Sequence, residues 1–288
     1  MRLGLIGAPT SAGAYSPGQE DAPAALRDAG LIAALVDAGH QVADLGDIPR
    51  LRWRPDHDSP QAMNAAAVLA GALAVAEMVA GALERGLVPL VVGGDCTVEL
   101  GTVRGCSGDG ALIYVDPHPD MNTPVNVPDG ALDWMGVAHM LSVDGAVPGV
   151  VDVASLEPSD VLLFGQSPER STDAERALIA NLGITAIQQD EVARDPAAAA
   201  HRALAWAGKR PRLIHLDTDS IDFADLPLAE NTDRSVGLSF AAVGSALDVL
   251  LGAPFAALTI TEVNPHHGEP GGATLRAFIE RLATALSR

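Results

Sequence analysis

Residues 111–122 read ALIYVDPHPDMN: an unbroken apolar run is followed at once by two aspartates and a histidine at alternate positions. A short continuous run of this kind is typical of a strand buried on both faces of a parallel sheet. Two other stretches have the same organisation, VPLVVGGDCT at 88–97 and RLIHLDTDSID at 212–222. Ligands of open α/β proteins bind beyond the carboxyl ends of the strands. The three stretches therefore predict strands that place their polar side chains at one functional edge.

The same alternation of apolar runs and helical patterns extends over the whole chain. The predicted strands are Leu3–Gly7, Val42–Leu45, Val88–Val92, Ala111–Val115, Val161–Phe164, Ala186–Ile187, Arg212–Leu216 and Ala256–Thr261. The predicted helices are Ala22–Ala38, Gln61–Arg85, Asp173–Leu182, Ala197–Ala207, Phe240–Leu251 and Gly272–Leu286. This alternation predicts an α/β fold, a three-layer αβα sandwich around a mainly parallel sheet of about eight strands. No composition break, repeat or low-complexity segment divides the sequence, which predicts a single domain over residues 1–288.

The composition limits the classes of partner. The chain has 18 basic and 37 acidic residues, a formal net charge of −19, and an acidic surface repels phosphate backbones. We therefore expect no nucleic acid partner. The longest apolar run, 65–76, ends at Glu77, is too short to span a bilayer and has no basic amphipathic stretch beside it, so no membrane is expected either. The segment before Gly7 is too short for a signal-peptide core, and two cysteines cannot form a disulfide framework. We predict a cytoplasmic protein that acts on a small molecule.

Side chains able to bind a metal follow three of the predicted strands. They are Cys96, Asp116, His118, Asp120, Asp217 and Asp219. Taken alone, Cys96 is more often a small buried residue, and paired aspartates are common in solvated turns. Together, however, so many acidic groups cannot be buried without a counter-charge, because each raises the pKa of its neighbours. Oxygen ligands with one imidazole suit Mn²⁺, whereas the Cys96 thiolate favours Zn²⁺ or Fe²⁺, and two such cations could turn one water into hydroxide near neutral pH.

These three segments resemble the motifs of the arginase/agmatinase (ureohydrolase) family. That family carries GGDHS, DAHxD and SxDxDxxDP at three strand ends in this order; here they read GGDCT, DPHPD and HLDTDSIDF. The similarity continues outside the motifs, in the segments IGAP (6–9), GQE (18–20), PAALR (23–27), NTP (122–124) and EVNP (262–265). Because these agreements occur in order along nearly the whole chain, coincidence is improbable.

The resemblance implies an arginase-like fold, two Mn²⁺ per chain and a homo-oligomer, either a trimer or a hexamer. It also assigns ligands by position. One metal would be held by Cys96, Asp116, Asp120 and Asp217. The other would be held by His118, Asp116, Asp217 and Asp219. A hydroxide bridging the two metals would attack a guanidinium-type carbon, Glu262 would pair with the substrate cation, and Asn122 would contact substrate.

Two positions near the expected metals depart from the family pattern. Cys96 stands where histidine is usual, which resembles the hydroxyarginine-hydrolysing branch of the family. Asp133 stands at the position of the family's proton-shuttling histidine. Asp133 or the nearby His139 is the candidate relay, and a core or surface role is an equal alternative for each. His215, inside a strand, is interpreted as a satisfied core histidine or one that supports a ligand.

The positions that grip the substrate also differ. Val127 and Asp129 occupy positions that hold the α-amino acid end in arginases. Arg170 lies in a segment that often contains an acidic amine-binding residue, and an arginine there favours a substrate bearing a carboxylate. A solvated surface arginine is the alternative. Asp222, the last acid of the third motif, either joins the site or holds its loop.

The leading hypothesis is a binuclear metal-dependent hydrolase of specialised metabolism. It would cleave a C–N bond of a guanidino, hydroxyguanidino or related amidino compound and release urea or hydroxyurea with an amine. Two alternatives stay open: hydrolysis of another amide, imine or hydrazine-like bond, and a catalytically silent family member that only binds metal. Product analysis separates the first two, and metal analysis identifies the third.

Overall fold

The computed structural model describes residues 1–108 and 110–287. Its strands are β1 (Arg2–Gly7), β2 (Gln41–Asp47), β3 (Val88–Val92), β4 (Ala111–Val115), β5 (Val161–Gln166), β6 (Thr185–Gln188), β7 (Arg212–Asp217) and β8 (Ala257–Thr261). Its α-helices are α1 (Ala22–Asp28), α2 (Leu31–Asp37), α3 (Ala65–Glu84), α4 (Val98–Gly105), α5 (Gly136–Met140), α6 (Asp173–Leu182), α7 (Gln189–Arg194), α8 (Pro196–Ala207), α9 (Phe240–Gly252) and α10 (Ala273–Leu286).

The strands form one sheet in the order β2-β1-β3-β8-β7-β4-β5-β6, and each pairing between them is parallel. Parallel neighbours need crossover connections, so helices cover both faces of the sheet. The predicted α/β architecture is confirmed, with the correction that the sheet is wholly rather than mainly parallel in the described residues. The division of the chain into domains stays a prediction.

Alternate residues of each central strand belong to opposite layers of the core. On β4, Ile113 and Val115 pack in the apolar cluster that includes helices α1, α2 and α7–α10. Leu112 and Tyr114 pack in the cluster on the other face, beneath α3–α6. Because both faces are covered, β4 is apolar throughout, which explains why its sequence lacks a polar alternation.

Several element bounds differ from the prediction. The helix expected over 22–38 is two helices, because Gly30 adopts φ 99°, which a continuing helix cannot contain. Helices α4, α5 and α7 were not predicted; each has eight residues or fewer, too few for a clear periodic pattern. The predicted helix 173–182 is confirmed to the residue, and Thr172 caps it by accepting from the Glu175 N–H.

Helix α3 lies within the predicted helix Gln61–Arg85 and is shorter by four residues at its start and by one at its end. It continues through Glu77 to Glu84 and, by length and composition alone, is long enough to cross a membrane, a test that core helices of globular proteins also pass. Its middle packs closely on α4: a Cβ added at Gly101 would lie 2.5 Å from the Ala72 carbonyl oxygen. The two glycines of α4 therefore allow close contact between the helices.

Candidate metal centre

The loops that follow the central strands β3, β8, β7 and β4 meet around a cavity of about 820 Å³ at the carboxyl edge of the sheet. Eight residues proposed from the sequence line it: Cys96, His118, Asp120, Asp133, Arg170, Asp217, Asp219 and Glu262. Residues separated by up to 166 positions in the chain thus face one space. The expectation that the polar strand ends converge is met in the geometry.

A two-glycine turn brings Cys96 to this edge. Gly93 and Gly94 have φ 89° and 88°, which favours glycine, and a Cβ on either would lie 2.6 Å from a neighbouring side chain. The buried Asp95 holds the turn by accepting from the N–H of Gly13 at 2.9 Å and of Thr97 at 3.1 Å. The sequence GGD therefore positions the Cys96 thiol, which is 3% exposed.

The loop after β4 presents Asp116, His118 and Asp120. Asp116 Oδ1 accepts from the His118 N–H at 2.6 Å, whereas its buried Oδ2 has no hydrogen-bond partner among residues 1–108 and 110–287. Asp120 has φ 52°, a strained conformation for a residue with a side chain, and accepts a hydrogen bond from the Tyr114 hydroxyl. A buried carboxylate oxygen without a donor is costly, which fits a cation as its missing partner.

The loop after β7 presents Asp217 and Asp219. Asp217 Oδ1 accepts from the Asp219 N–H at 2.7 Å, and Asp217 Oδ2 lies 3.6 Å from Cys96 Sγ. Asp222 turns away from this pair: its oxygens accept from the N–H groups of Ala224, Val236 and Gly237. Asp222 therefore holds the loop, one of the two roles expected for it.

Ligand atoms gather in two overlapping groups. One oxygen of Asp116 and one nitrogen of His118 lie within 4.8 Å of each other and of an oxygen of Asp217. The second group consists of Cys96, Asp116 and His215, again within 4.8 Å. Asp116 belongs to both groups, as a bridging carboxylate would. The donor set, mainly carboxylate oxygen with imidazole and a thiol, fits divalent cations.

The electrostatics of the centre are unfavourable without cations. Burial and then the carboxylate of Asp116 raise the pKa of Asp217 and of Asp120 well above the usual range. Burial, with Asp116, also raises the pKa of Asp219 to about 6, against the opposing effect of His118. Burial and then Asp217 raise the pKa of the Cys96 thiol. Cations would offset the repulsion among these buried groups.

Glu262, directly after β8, faces the same cavity from a strained backbone position at φ 60°. Its Oε1 accepts from the Cys96 N–H at 2.9 Å and its Oε2 accepts from Gln19 Nε2 at 2.8 Å. The remaining lone pairs of this carboxylate are available to a cationic ligand. Gln19 belongs to the GQE segment, but nothing in that segment predicts its contact with Glu262.

Arg170 lies at the rim, in the segment after β5. Its Nε donates to His118 Nε2 at 3.0 Å, and its Nη2 lies 3.4 Å from an oxygen of Asp233. The side chain is 14% exposed, so the solvated alternative is wrong. The guanidinium brings the main positive charge near the predicted ligands.

Three predicted site residues lie elsewhere. His139 is buried outside the cavity: its Nδ1 is 2.6 Å from the Met135 carbonyl oxygen, and its Nε2 accepts from the Val147 N–H. Both ring nitrogens are therefore engaged with backbone, which corrects the relay hypothesis for His139. Asn122 is also fully buried, and its Oδ1 accepts from the Thr172 hydroxyl, so it holds α6 rather than lining the cavity. Asp129 is not part of the described cavity lining; its Oδ2 accepts a hydrogen bond from the hydroxyl of the lining residue Tyr15 at 3.4 Å.

Several lining residues carry no sequence signal of the kind used above. Tyr15, Trp134, Glu230, Asn231 and Asp233 come from loops remote from the three motifs. Tyr15 and Trp134 pack edge to face, with ring centroids 5.7 Å apart. Only their proximity to the GQE segment or to Asp133 could have suggested them. Tyr15 and Trp134 contribute aromatic surface to the cavity lining.

An αβα protein with a carboxylate-rich cavity at the carboxyl edge of its sheet has the construction of a metal-dependent enzyme. The arginase family model matches residues 1–287. Arginase-1 of Oryctolagus cuniculus is 30% identical over 299 residues, covering 99% of this chain and 92% of the relative. The arginase structure of Bacillus subtilis has a TM-score of 0.86 at 26% identity, covering 100% of this chain and 99% of the other. The chain belongs to the arginase family.

A formiminoglutamase of Trypanosoma cruzi, solved with Mn²⁺, also superposes, with a TM-score of 0.75 at 19% identity over 99% of this chain and 92% of that one. This likeness shows the fold alone. Members of the arginase family are metal-dependent hydrolases of guanidino C–N bonds and use a binuclear Mn²⁺ cluster. The predicted family, fold and enzyme class are therefore confirmed.

Proposed function

We propose that this chain is a binuclear metal-dependent hydrolase that cleaves a C–N bond of a guanidino, hydroxyguanidino or related amidino compound bearing a carboxylate. The observation that carries the proposal is the position of Asp116, which is shared by two groups of ligand atoms. Other members of these groups, Cys96, His118 and Asp217, line the cavity together with Glu262. The cationic carbon of the substrate would then lie between the metal ligands and the carboxylate of Glu262.

The proposed ligands are those inferred by resemblance. One metal position comprises Cys96, Asp116, Asp120 and Asp217. The other comprises His118, Asp116, Asp217 and Asp219. When bound, two divalent cations would neutralise these carboxylates and make a water acidic enough to attack near neutral pH.

Glu262 is proposed to bind the amidino group of the substrate. A planar guanidinium offers parallel N–H donors that match a carboxylate in a bidentate contact. Gln19 and the Cys96 N–H hold the carboxylate from the opposite side, at 2.8 and 2.9 Å. This support limits rotation of Glu262, so the reacting carbon would be held in one orientation.

Asp133 is proposed to handle the proton of the leaving amine. It lines the cavity, is 8% exposed, and accepts from the Trp134 N–H at 2.9 Å. Burial and then the charge of Asp95 raise the pKa of Asp133 well above its usual range. A carboxyl group with a raised pKa holds its proton more strongly than a free carboxyl group and would donate it to an amine as the C–N bond breaks.

Arg170 is proposed to bind the carboxylate of the substrate. It is the arginine that lines the cavity within the described residues, and it lies on the rim opposite the acidic floor. Its guanidinium still has N–H donors beyond those used toward His118 and Asp233. A substrate with a cationic group at one end and an anion at the other matches this charge separation.

The test uses the full-length protein reconstituted with Mn²⁺, and separately with Zn²⁺, against a panel of guanidino acids and their descarboxy analogues. Release of urea or hydroxyurea from the acids, with at least about tenfold lower kcat/KM for the analogues, would support the proposal. Asp219→Asn should abolish turnover, whereas the surface control Asp190→Asn should not. Turnover of other amides without urea would favour the alternative hydrolase. Less than one equivalent of tightly held metal, with no effect of added Mn²⁺, would favour the silent family member.

The oligomeric state and the cellular compartment are proposals of lower detail. A trimer or hexamer is proposed from the resemblance, and a cytoplasmic location is proposed from the sequence composition. Light scattering after size exclusion measures the oligomer directly, and a monomer at micromolar concentration would overturn that expectation.

A further inference from the structure

We propose that His215, from inside β7, supplies an imidazole ligand to the metal on the Cys96 side, so that this position is a thiolate–imidazole site selective for Zn²⁺ over Mn²⁺. The inference deepens the proposed function and rests on its metal centre. From the sequence, His215 is interpreted as a core or supporting histidine, because it lies within a strand, two residues before Asp217.

The spacing of the donor atoms fits direct coordination. His215 Nε2 and Asp217 Oδ2 each lie 3.6 Å from Cys96 Sγ. Zinc bonds of about 2.3 Å to sulfur and about 2.0–2.1 Å to nitrogen or oxygen, at a tetrahedral angle, separate the two ligand atoms by about 3.5 Å. Asp116 completes a set of four donors, with its ligand atom within 4.8 Å of those of Cys96 and His215. In this set His215 takes the place that the resemblance assigns to Asp120, which accepts from the Tyr114 hydroxyl.

Glu99 orients the imidazole for this role. Its Oε2 lies 3.2 Å from His215 Nδ1, and both side chains are fully buried. A carboxylate in this position accepts a hydrogen bond from the Nδ1–H group. The Nε2 lone pair is then directed toward Cys96 Sγ, which is the arrangement that supports histidine ligands of zinc. The other oxygen of Glu99 is buried without a hydrogen-bond partner, so the carboxylate serves His215 alone among the described residues.

Tyr114 fixes the plane of the same ring. The two rings stack with centroids 4.0 Å apart and planes 3° from parallel, and the Tyr114 hydroxyl donates to Asp120. The stacking holds the His215 ring in a single orientation, and the hydrogen bond holds the Asp120 carboxylate. The Thr261 hydroxyl lies 3.2 Å from Nε2 and 3.4 Å from Cys96 Sγ, and it is the partner of the nitrogen if no metal is held there.

The two metal positions therefore differ in chemistry. The position nearest His118 has carboxylate oxygens with one imidazole, a set that suits Mn²⁺. The position nearest Cys96 would have one sulfur and one nitrogen, which favours zinc and disfavours manganese. The imidazole absent from position 96 would thus be supplied from β7, which β8 separates from β3 in the sheet.

The first experiment needs no variant. The metal-free protein is loaded with one equivalent of Zn²⁺ and examined by X-ray absorption at the zinc edge, and a second sample is loaded with Co²⁺. The proposal expects one sulfur at about 2.3 Å with imidazole scattering, and an intense tetrahedral cobalt spectrum with a sulfur-to-metal charge-transfer band. A zinc shell of oxygen and nitrogen only would overturn it.

Variants then test His215 itself. His215→Asn should lower zinc affinity at least about 100-fold, and Glu99→Gln about tenfold, as expected for a ligand and its orienting partner. Cys106→Ser and His139→Asn are the matched controls, since these side chains lie outside the cavity and should leave zinc affinity within about twofold. Thermal unfolding of each variant separates loss of binding from loss of fold.

The outcomes also separate this inference from the proposed function. Hydrolysis with two Mn²⁺ bound, zinc affinity unchanged in His215→Asn and no sulfur ligand would overturn the inference and leave the hydrolase proposal standing. A sulfur- and imidazole-ligated zinc without release of urea or another hydrolysis product would support the inference while the proposed function fails.

Discussion

The backbone N–H of Cys96 donates a 2.9 Å hydrogen bond to Oε1 of Glu262. The bond joins the loop after β3 to the loop after β8, and these strands are neighbours in the sheet. Glu262 reaches this position with φ 60°, and the glycine turn before Cys96 also requires positive φ. A proposed metal ligand and the proposed substrate-binding carboxylate therefore share one constrained unit.

Replacing Glu262 by glutamine should separate binding of metal from turnover. Glu262→Gln keeps the side-chain size and an oxygen able to accept from the Cys96 N–H, but it removes the charge that would face the substrate cation. We expect the metal content to be unchanged and kcat/KM for cationic substrates to fall at least about 100-fold. Metal analysis and steady-state kinetics measure both, with the exposed Glu84→Gln as control. Kinetics like those of the parent protein would remove Glu262 from the mechanism.

Cys96→His tests the role of the thiol. An imidazole at this position should retain metal and shift activity toward the ordinary family pattern, with a greater dependence on Mn²⁺. Metal content after dialysis and activity with Mn²⁺ or Zn²⁺ are the measurements, and Cys106→Ser is the matched control. Loss of all metal from Cys96→His would count against direct ligation by residue 96.

Most of the fold could be predicted from the sequence because both faces of its central strands are covered. The apolar runs at β3, β4 and β7 have no other explanation in a chain of this composition. Short helices could not be predicted: α5 has five residues, and its existence depends on contacts with α4 rather than on its own periodicity. The break at Gly30 was likewise invisible as a pattern, since helical spacing continues on both sides.

The candidate site was predictable where residues follow a strand directly. Asp116 and Asp217 could be placed because a parallel sheet brings strand ends to one edge. Asn122 and His139 could not, because Asn122 lies in an irregular loop and His139 lies in a five-residue helix, so their side-chain directions depend on tertiary contacts. Glu99 and His215 are separated by 116 positions, so their pairing could be seen only in three dimensions.

Arg170 should determine the preference for an anionic substrate. Arg170→Gln removes the positive charge at the rim, and we expect KM for a guanidino acid to rise about 10- to 100-fold with a smaller change in kcat. Arg170→Lys should recover part of the loss, since a point charge remains without the planar fork. The descarboxy analogue is the internal control and should respond less than about threefold. Equal effects on both substrates would show that Arg170 acts through His118 instead.

Substitution of Asp133 should lower kcat, whereas substitution of His139, the other candidate relay, should lower stability. Asp133→Asn keeps the acceptor for the Trp134 N–H but cannot exchange a proton, so kcat should fall about 100-fold with little change in stability. His139 is neutral, since burial lowers its pKa to about 4, and it ties together a buried turn. His139→Asn should lower the melting temperature and leave kcat of the folded fraction within about twofold. A larger loss of kcat in His139→Asn than in Asp133→Asn would contradict this assignment.

Removing the metals should make stability fall as pH rises. Burial is the first cause that raises the pKa of Asp219 to about 6, and those of Asp120 and Asp217 lie well above the usual range. An acid whose pKa is higher in the folded than in the unfolded state contributes stability below about pH 4, and this stability is lost as pH rises through the folded-state value. The melting temperature of chelator-treated protein should therefore decrease between about pH 5 and pH 8, and added Mn²⁺ or Zn²⁺ should restore it by neutralising the carboxylates.

Asp217→Asn removes one of the crowded acids, so the melting temperature of its metal-free form should depend less on pH and should rise less when metal is added. A metal-free melting temperature that stays level or rises over this range would show that the carboxylates are not held together as described.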